Sequence, residues 1–219
     1  MSKNQGEKFL GGEGDAWFLR NQESLEGKLE EPSVKFIQYS LGEFRDEISN
    51  LLEIGCGGGA KLSILSSFFG AKGYGVDSSQ KAIDFAKKRY TTSNGKLTFV
   101  TGLATDLPYE SEKFDLVFFG FCLYLLPPNE VFRAVAEADR VLRAGGFLAI
   151  LDFDYGQLMV NPYKHAEGVF TYKNNYAEIF TTSGYYHQVS KWSFSHFGNT
   201  FVHDKDERLS IEVLYKDSQ

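Results

Sequence analysis

Apolar and polar residues follow two periods along this chain, and the period switches in a regular order. The runs "NLLEI", "GYGVD", "KLTFVTG", "FDLVFFG" and "FLAILDF" are short and apolar, and they predict five strands. "FDLVFFG" is apolar on consecutive positions, as a strand covered on both faces requires. Between these runs, "AKLSILSSFFG", "SSQKAIDFAKKRY" and "NEVFRAVAEADRVLRAGG" return apolar residues every three or four positions, the period of a helix. Serines open the second of these helices, Asn129 is the expected cap of the third, and Gly70 closes the first. Ahead of them, residues 33–48 place Val34, Ile37, Leu41, Phe44 and Ile48 at helical spacing behind Pro32.

Strands and helices that alternate through short connections predict an α/β fold: a Rossmann-like, doubly wound, mostly parallel sheet with helices on both faces. After residue 155 the pattern breaks into an irregular, tyrosine-rich segment, in which "NPY" at 161–163 reads as a loop turn. Two β-like runs follow, "YYHQVSKWSFSHF" and "NTFVHDKDERLSIEVLY", separated by Gly198 and Asn199. That dipeptide predicts a hairpin turn, giving the sheet an antiparallel edge. The expected organisation is one domain: an arm and helix over 1–48, a ligand-binding core over 49–153, an insertion over 154–184, and terminal strands over 185–219.

The chemistry concentrates in "NLLEIGCGGGAKL", where Gly55, Gly57, Gly58 and Gly59 follow the first strand. Clustered glycines lose more conformational entropy on folding than other residues, so they need a cause. A tight strand-to-helix turn that lets a ligand approach the main chain and a helix N-terminus is such a cause. Asp77 ends the second strand about 20 positions further on, the spacing at which an acid accepts hydrogen bonds from the two hydroxyls of an adenosine ribose. The loop reads both as G-x-G-x-x-A, a dinucleotide fingerprint, and as G-x-G-x-G preceded by an acid. By themselves these glycines leave a nicotinamide-dependent oxidoreductase open.

Four blocks in order, "LLEIGCGGG", "YGVDSS", "GLATDLPYESEKFDLVFFGFCLYLL" and "LRAGGFLAI", resemble the class I S-adenosylmethionine-dependent methyltransferases over residues 50–152. The resemblance implies that Glu53 lies beneath the methionyl end of S-adenosylmethionine and that Gly55, Gly57 and Gly59 line its methionine and ribose. It implies that Asp77 holds the ribose hydroxyls, with Ser78 beside the adenine, and that Ala104 presents its N–H to the ring. Phe119, at the end of the fourth strand, would offer its carbonyl to the methionyl ammonium. Many relatives carry an Asp immediately before the alanine. Here Leu103 stands there, and Asp106 is the substitute expected either to reach the adenine amino group or to cap the next turn. A non-catalytic S-adenosylmethionine-binding regulator is the alternative of a different class.

On the acceptor side, His165, Asp152 and Tyr124 are the candidates for chemistry. His165 is the preferred base because an unperturbed imidazole can exchange a proton near neutral pH; Asp152 sits at the end of the fifth strand, and Tyr124 follows the fourth. The glycine-rich "GGEGDAWFLRN" suggests a lid, with Arg20 available to pair with the methionyl carboxylate. Its aromatic-x-x-Arg-Asn ending loosely resembles arms of methyltransferases that act on glycans. The expected acceptor is a small molecule or glycan precursor, with oxygen preferred. A net charge of −6 argues against a nucleic acid partner and anionic membranes. No run nears the ~20 apolar residues of a membrane span. Cys56 and Cys122 form neither a disulfide framework nor a metal-ligand spacing, which predicts no metal and a reducing cytoplasm.

Overall fold

The computed structural model describes residues 4–26, 32–90 and 95–218. Seven strands form one sheet in the order β3-β2-β1-β4-β5-β9-β8. Strands β1 (Asn50–Ile54), β2 (Lys72–Asp77), β3 (Leu97–Thr101), β4 (Phe114–Gly120) and β5 (Leu142–Phe153) run parallel. The antiparallel edge is β8 (Tyr186–Ser195) and β9 (Arg208–Lys216), with β9 inserted beside β5. A separate ribbon pairs β6 (Met159–Pro162) with β7 (Phe170–Lys173). The predicted Rossmann-like architecture is therefore the observed one.

Helices α1 (Gln5–Lys8) and α2 (Gly14–Glu26) form the N-terminal arm, and α3 (Pro32–Leu41) follows it. Helices α4 (Ala60–Phe69), α5 (Gln80–Arg89) and α6 (Pro128–Val141) connect the parallel strands, and the short α7 (Ala177–Thr181) precedes β8. Their helical spacing turns one face onto the sheet: Val131, Ala134, Ala138 and Val141 of α6 are buried, while Phe132 stays 65% exposed. Central strands β1 and β4 are covered on both faces, and Leu51, Leu52, Leu116, Val117, Phe118 and Phe119 are fully buried. Strand order reverses between β1 and β4, so a crevice opens beyond their carboxyl ends.

Several local expectations are corrected. The helix over 33–48 stops at Leu41, and Gly42–Glu47 continues as a 3-10 turn that leaves Phe44 against the Phe147 ring. Asn129 does not cap α6. Pro127 and Pro128 start it instead, because a proline at the first turn loses no hydrogen bond and its φ is already helical. "NP" at 161–162 belongs to β6, where proline closes the pairing opposite Phe170 at the ribbon's end. Gly198 and Asn199 do turn the chain, with Gly198 N–H donating to the Ser195 carbonyl. However, β9 begins only at Arg208, and residues 196–207 form a long connection. Asp204 there accepts the Asp206 N–H, Asp206 is held by Tyr155 and Lys173, and the His196 N–H donates to the Glu207 carbonyl.

Gly59 ends the loop before α4 with φ 79°, and a Cβ there would lie 2.6 Å from the Phe99 ring. Gly59→Ala is expected to combine left-handed strain with overpacking and to cost about 2–4 kcal/mol. Urea unfolding of the two proteins measures this, and a loss under about 1 kcal/mol would show that Phe99 yields.

Candidate active site

The loop after β1 is tied to its neighbouring strand before it turns. The N–H groups of Gly55 and Cys56 both donate to the Val76 carbonyl at 2.8 and 3.1 Å. Gly55 has φ 75°, and a Cβ there would stand 2.8 Å from the Cys122 Cβ, so the β1 and β4 ends approach more closely than a side chain permits. The Gly57 N–H then donates to Asp77 Oδ2 at 2.8 Å, while Asp77 Oδ1 accepts the Ser79 N–H at 2.9 Å. Each carboxylate oxygen thus has one protein partner, and a lone-pair site on each remains for a diol. Burial pushes the Asp77 pKa up, and the Ser79 and Gly57 N–H groups oppose that shift.

The arm closes over this crevice. Asn4 caps α1 in a capping box with Glu7. The buried Gln5 amide donates to the carbonyls of Leu125 (2.6 Å) and Phe170 (2.8 Å) and accepts the Phe170 N–H. Gly6 N–H donates to the buried Glu130, and Lys8 Nζ to the Gly168 carbonyl. At the start of α2, Gly14 lies so near Ser78 that a Cβ would meet its Oγ at 2.8 Å. Asp15 accepts the Ser79 hydroxyl at 2.7 Å and the Lys81 N–H at 3.0 Å, which docks the arm on the first turn of α5. These contacts enclose a cavity walled on the arm side by Phe9, Trp17 and Phe18, and after β4 by Phe121, Leu125 and Leu126.

The residues singled out from the sequence divide by position. Gly55, Gly57, Asp77, Ser78, Leu103 and Ala104 line the cavity. Glu53 lies beneath it, fully buried, with Lys61 Nζ 3.7 Å from its Oε1. Gly59 faces Phe99 rather than the cavity, and Phe119 is fully buried while the next residue, Gly120, lines the wall. Asp106 is exposed and bridges Leu103 only through its backbone. Arg20 is absent from the wall: Glu13, seven positions back on the arm, takes its guanidinium at 2.6 Å, and it donates to the Tyr163 hydroxyl at 2.9 Å.

His165 is exposed, with its ring 5.3 Å from that of Tyr163, and it does not line the cavity. Asp152 and Tyr124 are buried behind the wall. Asp152 accepts the N–H groups of Tyr124 (3.2 Å) and Phe153 (2.8 Å), fixing the 3-10 turn Leu123–Leu125 whose last carbonyl receives Gln5. Burial pushes the Asp152 pKa up to about 7 against these backbone bonds. Cys56 and Cys122 both line the cavity, and burial raises their thiols well above the usual range, so neither is a ready thiolate.

Trp17 was expected on the arm that closes the site, whereas sequence reasoning missed Phe9, Phe18, Lys61 and Phe121 as wall residues. Phe121 is a non-glycine residue at φ 77°, a costly conformation that the pattern of types does not reveal. Its ring meets Tyr124, Phe153 and His196 at 4.8, 5.4 and 5.7 Å, so the strain sets an aromatic cluster against the cavity. Only the arm's aromatic residues gave an advance signal, by standing in an otherwise polar, glycine-rich stretch.

A parallel sheet with an inserted antiparallel strand, a glycine loop and an acid on adjoining strand ends define a nucleoside-binding domain of the class I methyltransferase fold. Residues 52–150 match the methyltransferase domain family. Residues 52–150 thus form a methyltransferase domain, of the class I fold. The chain is 33% identical over 121 residues to the fatty-acid O-methyltransferase of Mycolicibacterium smegmatis, covering 55% of this chain and 43% of that protein. It is 30% identical over 158 residues to the demethylmenaquinone methyltransferase of Staphylococcus aureus, covering 71% and 56%. The chain spans about half the length, or less, of the curated relatives it matches. The Burkholderia thailandensis 1,6-didemethyltoxoflavin-N1-methyltransferase, solved with 1,6-didemethyltoxoflavin and S-adenosylhomocysteine, superposes with a TM-score of 0.76 over 96% of this chain and 88% of that one. At 14% identity this likeness concerns the fold.

Because Asp152 holds its proton to about pH 7 when folded but only to about 3.8 when unfolded, the folded state binds more protons between these values. Its contribution to stability therefore falls as pH rises through that window and levels off above it. Asp152→Asn is expected to remove a slope of up to about 1.4 kcal/mol per pH unit. Denaturant unfolding of both proteins at several pH values isolates the difference, and parallel pH profiles would refute the assignment.

Proposed function

We propose that this chain transfers the methyl group of S-adenosylmethionine to an oxygen of a small molecule with an apolar body. The observation that carries the reading is the pair of open acceptor positions on Asp77, facing a cavity that also receives Gly55, Gly57 and Ala104. Asp77 would accept the two ribose hydroxyls, and the Ser78, Leu103 and Ala104 edge would take the adenine. When bound, the cofactor supplies an electrophilic methyl on a sulfonium, and the chain's task is to hold an acceptor in line with it and keep water out. Proximity and orientation supply most of such a barrier reduction.

The acceptor wall supports an apolar partner. Phe9, Trp17, Phe121, Leu125 and Leu126 offer rings and branched carbons, a better match for an acyl, isoprenoid or aromatic body than for a sugar. The names of the fatty-acid and demethylmenaquinone relatives agree with that choice over a glycan precursor. Asp152 and Tyr124 act in this reading by positioning the Leu123–Leu125 turn, not by taking a proton. His165 stands outside the wall, so catalysis rests on orientation rather than on that residue as base.

Calorimetry with S-adenosylhomocysteine tests the cofactor site, and Asp77→Ala is expected to weaken binding by about 1–3 kcal/mol, the cost of unpaired buried hydroxyls. Equal affinity in the variant would end the ribose assignment. A labelled-methyl screen of fatty acids, phenols, quinols and sugar nucleotides tests the acceptor. Incorporation confined to the sugar nucleotides would overturn the apolar reading.

A further inference from the structure

Among the described residues, the cationic side chains lining the cavity are Lys61 and Arg89. The Arg89 guanidinium lies over the Phe85 and Tyr90 rings, on the α5 side. Lys61 sits one residue into α4, where its Nζ is 3.5 Å from the Gly120 carbonyl and 3.7 Å from Glu53 Oε1. It therefore stands between two acceptors at the β1 and β4 ends that suit an ammonium group, hydrogen-bonded to the Gly120 carbonyl and ion-paired with Glu53. Its side chain is 15% exposed, whereas that of Glu53 is inaccessible. A carboxylate buried this completely is costly without a positive partner, and Lys61 supplies one.

We infer that Lys61 is a resident cation that reads the amino-acid end of the cofactor: it neutralises Glu53 in the empty site and pairs with the methionyl carboxylate when the ligand's own ammonium takes over the Glu53–Gly120 position. This rests on the cofactor assignment above. Two cations crowding one carboxylate repel each other, so an entering ammonium favours release of Lys61. A lysine suits the exchange because its point charge rides on a flexible four-carbon stem and can change partner by rotation. The ligand's carboxylate then provides the released charge with a new partner in the same wall. Arg20 does not fill this role because Glu13 and Tyr163 already hold its guanidinium. A ligand with the nucleoside but without the amino acid can neither displace Lys61 nor reward it, so the residue selects for the complete zwitterionic tail.

Calorimetry with S-adenosylhomocysteine and with 5′-methylthioadenosine, which lacks the amino-acid end, separates the possibilities. In Lys61→Met, affinity for S-adenosylhomocysteine is expected to fall about 10- to 100-fold, as for loss of a charge-assisted pair, while affinity for methylthioadenosine is unchanged. Lys61→Arg should recover part of the loss. Equal losses for both ligands would mean that Lys61 only supports the loop and would overturn the inference, as would no loss for either. If Lys61→Met fails to fold, Glu53→Gln/Lys61→Met removes both buried charges, and its affinities are compared with those of Glu53→Gln alone under the same criterion. A wild-type protein that binds neither ligand would instead refute the cofactor reading itself.

Discussion

The structure turns on how the chain leaves β1. Between Ile54 and Ala60 it must pass from strand to helix while the Gly55 and Cys56 N–H groups stay bonded to Val76 and Gly55 passes against Cys122. The left-handed Gly55 permits that approach, which a side chain at this position would block. Once the turn is made, Gly57 N–H falls on Asp77, and that bond holds the acid at the mouth of the crevice. Asp77 in turn orients Ser79, whose hydroxyl accepts the Ala82 N–H as the cap of α5 and donates to Asp15 of the arm. The loop, the acid and the arm thus form one hydrogen-bonded series rather than three separate features.

The arm is attached at its two ends by different chemistry. At the α5 end the contact is an aspartate on a hydroxyl and a free helix N–H, and at the other end it is a buried glutamine amide read by three backbone groups. The Gln5 side joins the arm to both Leu125 and β7, so the β6–β7 ribbon and the wall after β4 are registered by one side chain. Asp152 belongs to the same assembly because it pins the turn that carries the Leu125 carbonyl. That buried acid accepts the Tyr124 and Phe153 N–H groups, which ties the end of β5 to the turn after β4.

How far this was legible in the sequence depends on whether a feature is local. The strand and helix periods are local, and the parallel sheet, the crevice and the cavity-lining residues Gly55, Gly57, Asp77, Ser78 and Ala104 followed from them and from the family resemblance. Caps were less reliable, since Pro127 and Pro128 displaced Asn129 through a competing way to begin a helix. Arg20 and Lys61 show the limit most directly. Both are cations near the right segments, and only the folded chain reveals that Glu13 turns one away while Glu53 draws the other inward. The apolar wall was equally hidden, because its residues come from the arm and from the stretch after β4, brought together by tertiary contacts alone.

The charge of the site also bears on which nucleotide it suits. Glu53 and Asp77 stand on adjoining strand ends, Glu53 fully buried and Asp77 part-buried, and the thiols of Cys56 and Cys122 are raised in part by these two carboxylates. A dinucleotide would bring a pyrophosphate to the glycine loop, directly above Glu53, and two like charges at low dielectric oppose each other strongly. Lys61 offsets one unit of that field but is itself drawn down onto Glu53. A ligand carrying an ammonium and a sulfonium meets the opposite situation, since its positive groups approach carboxylates already fixed in place. The same acid that makes the loop unsuitable for a pyrophosphate therefore makes it suitable for a cationic methyl donor.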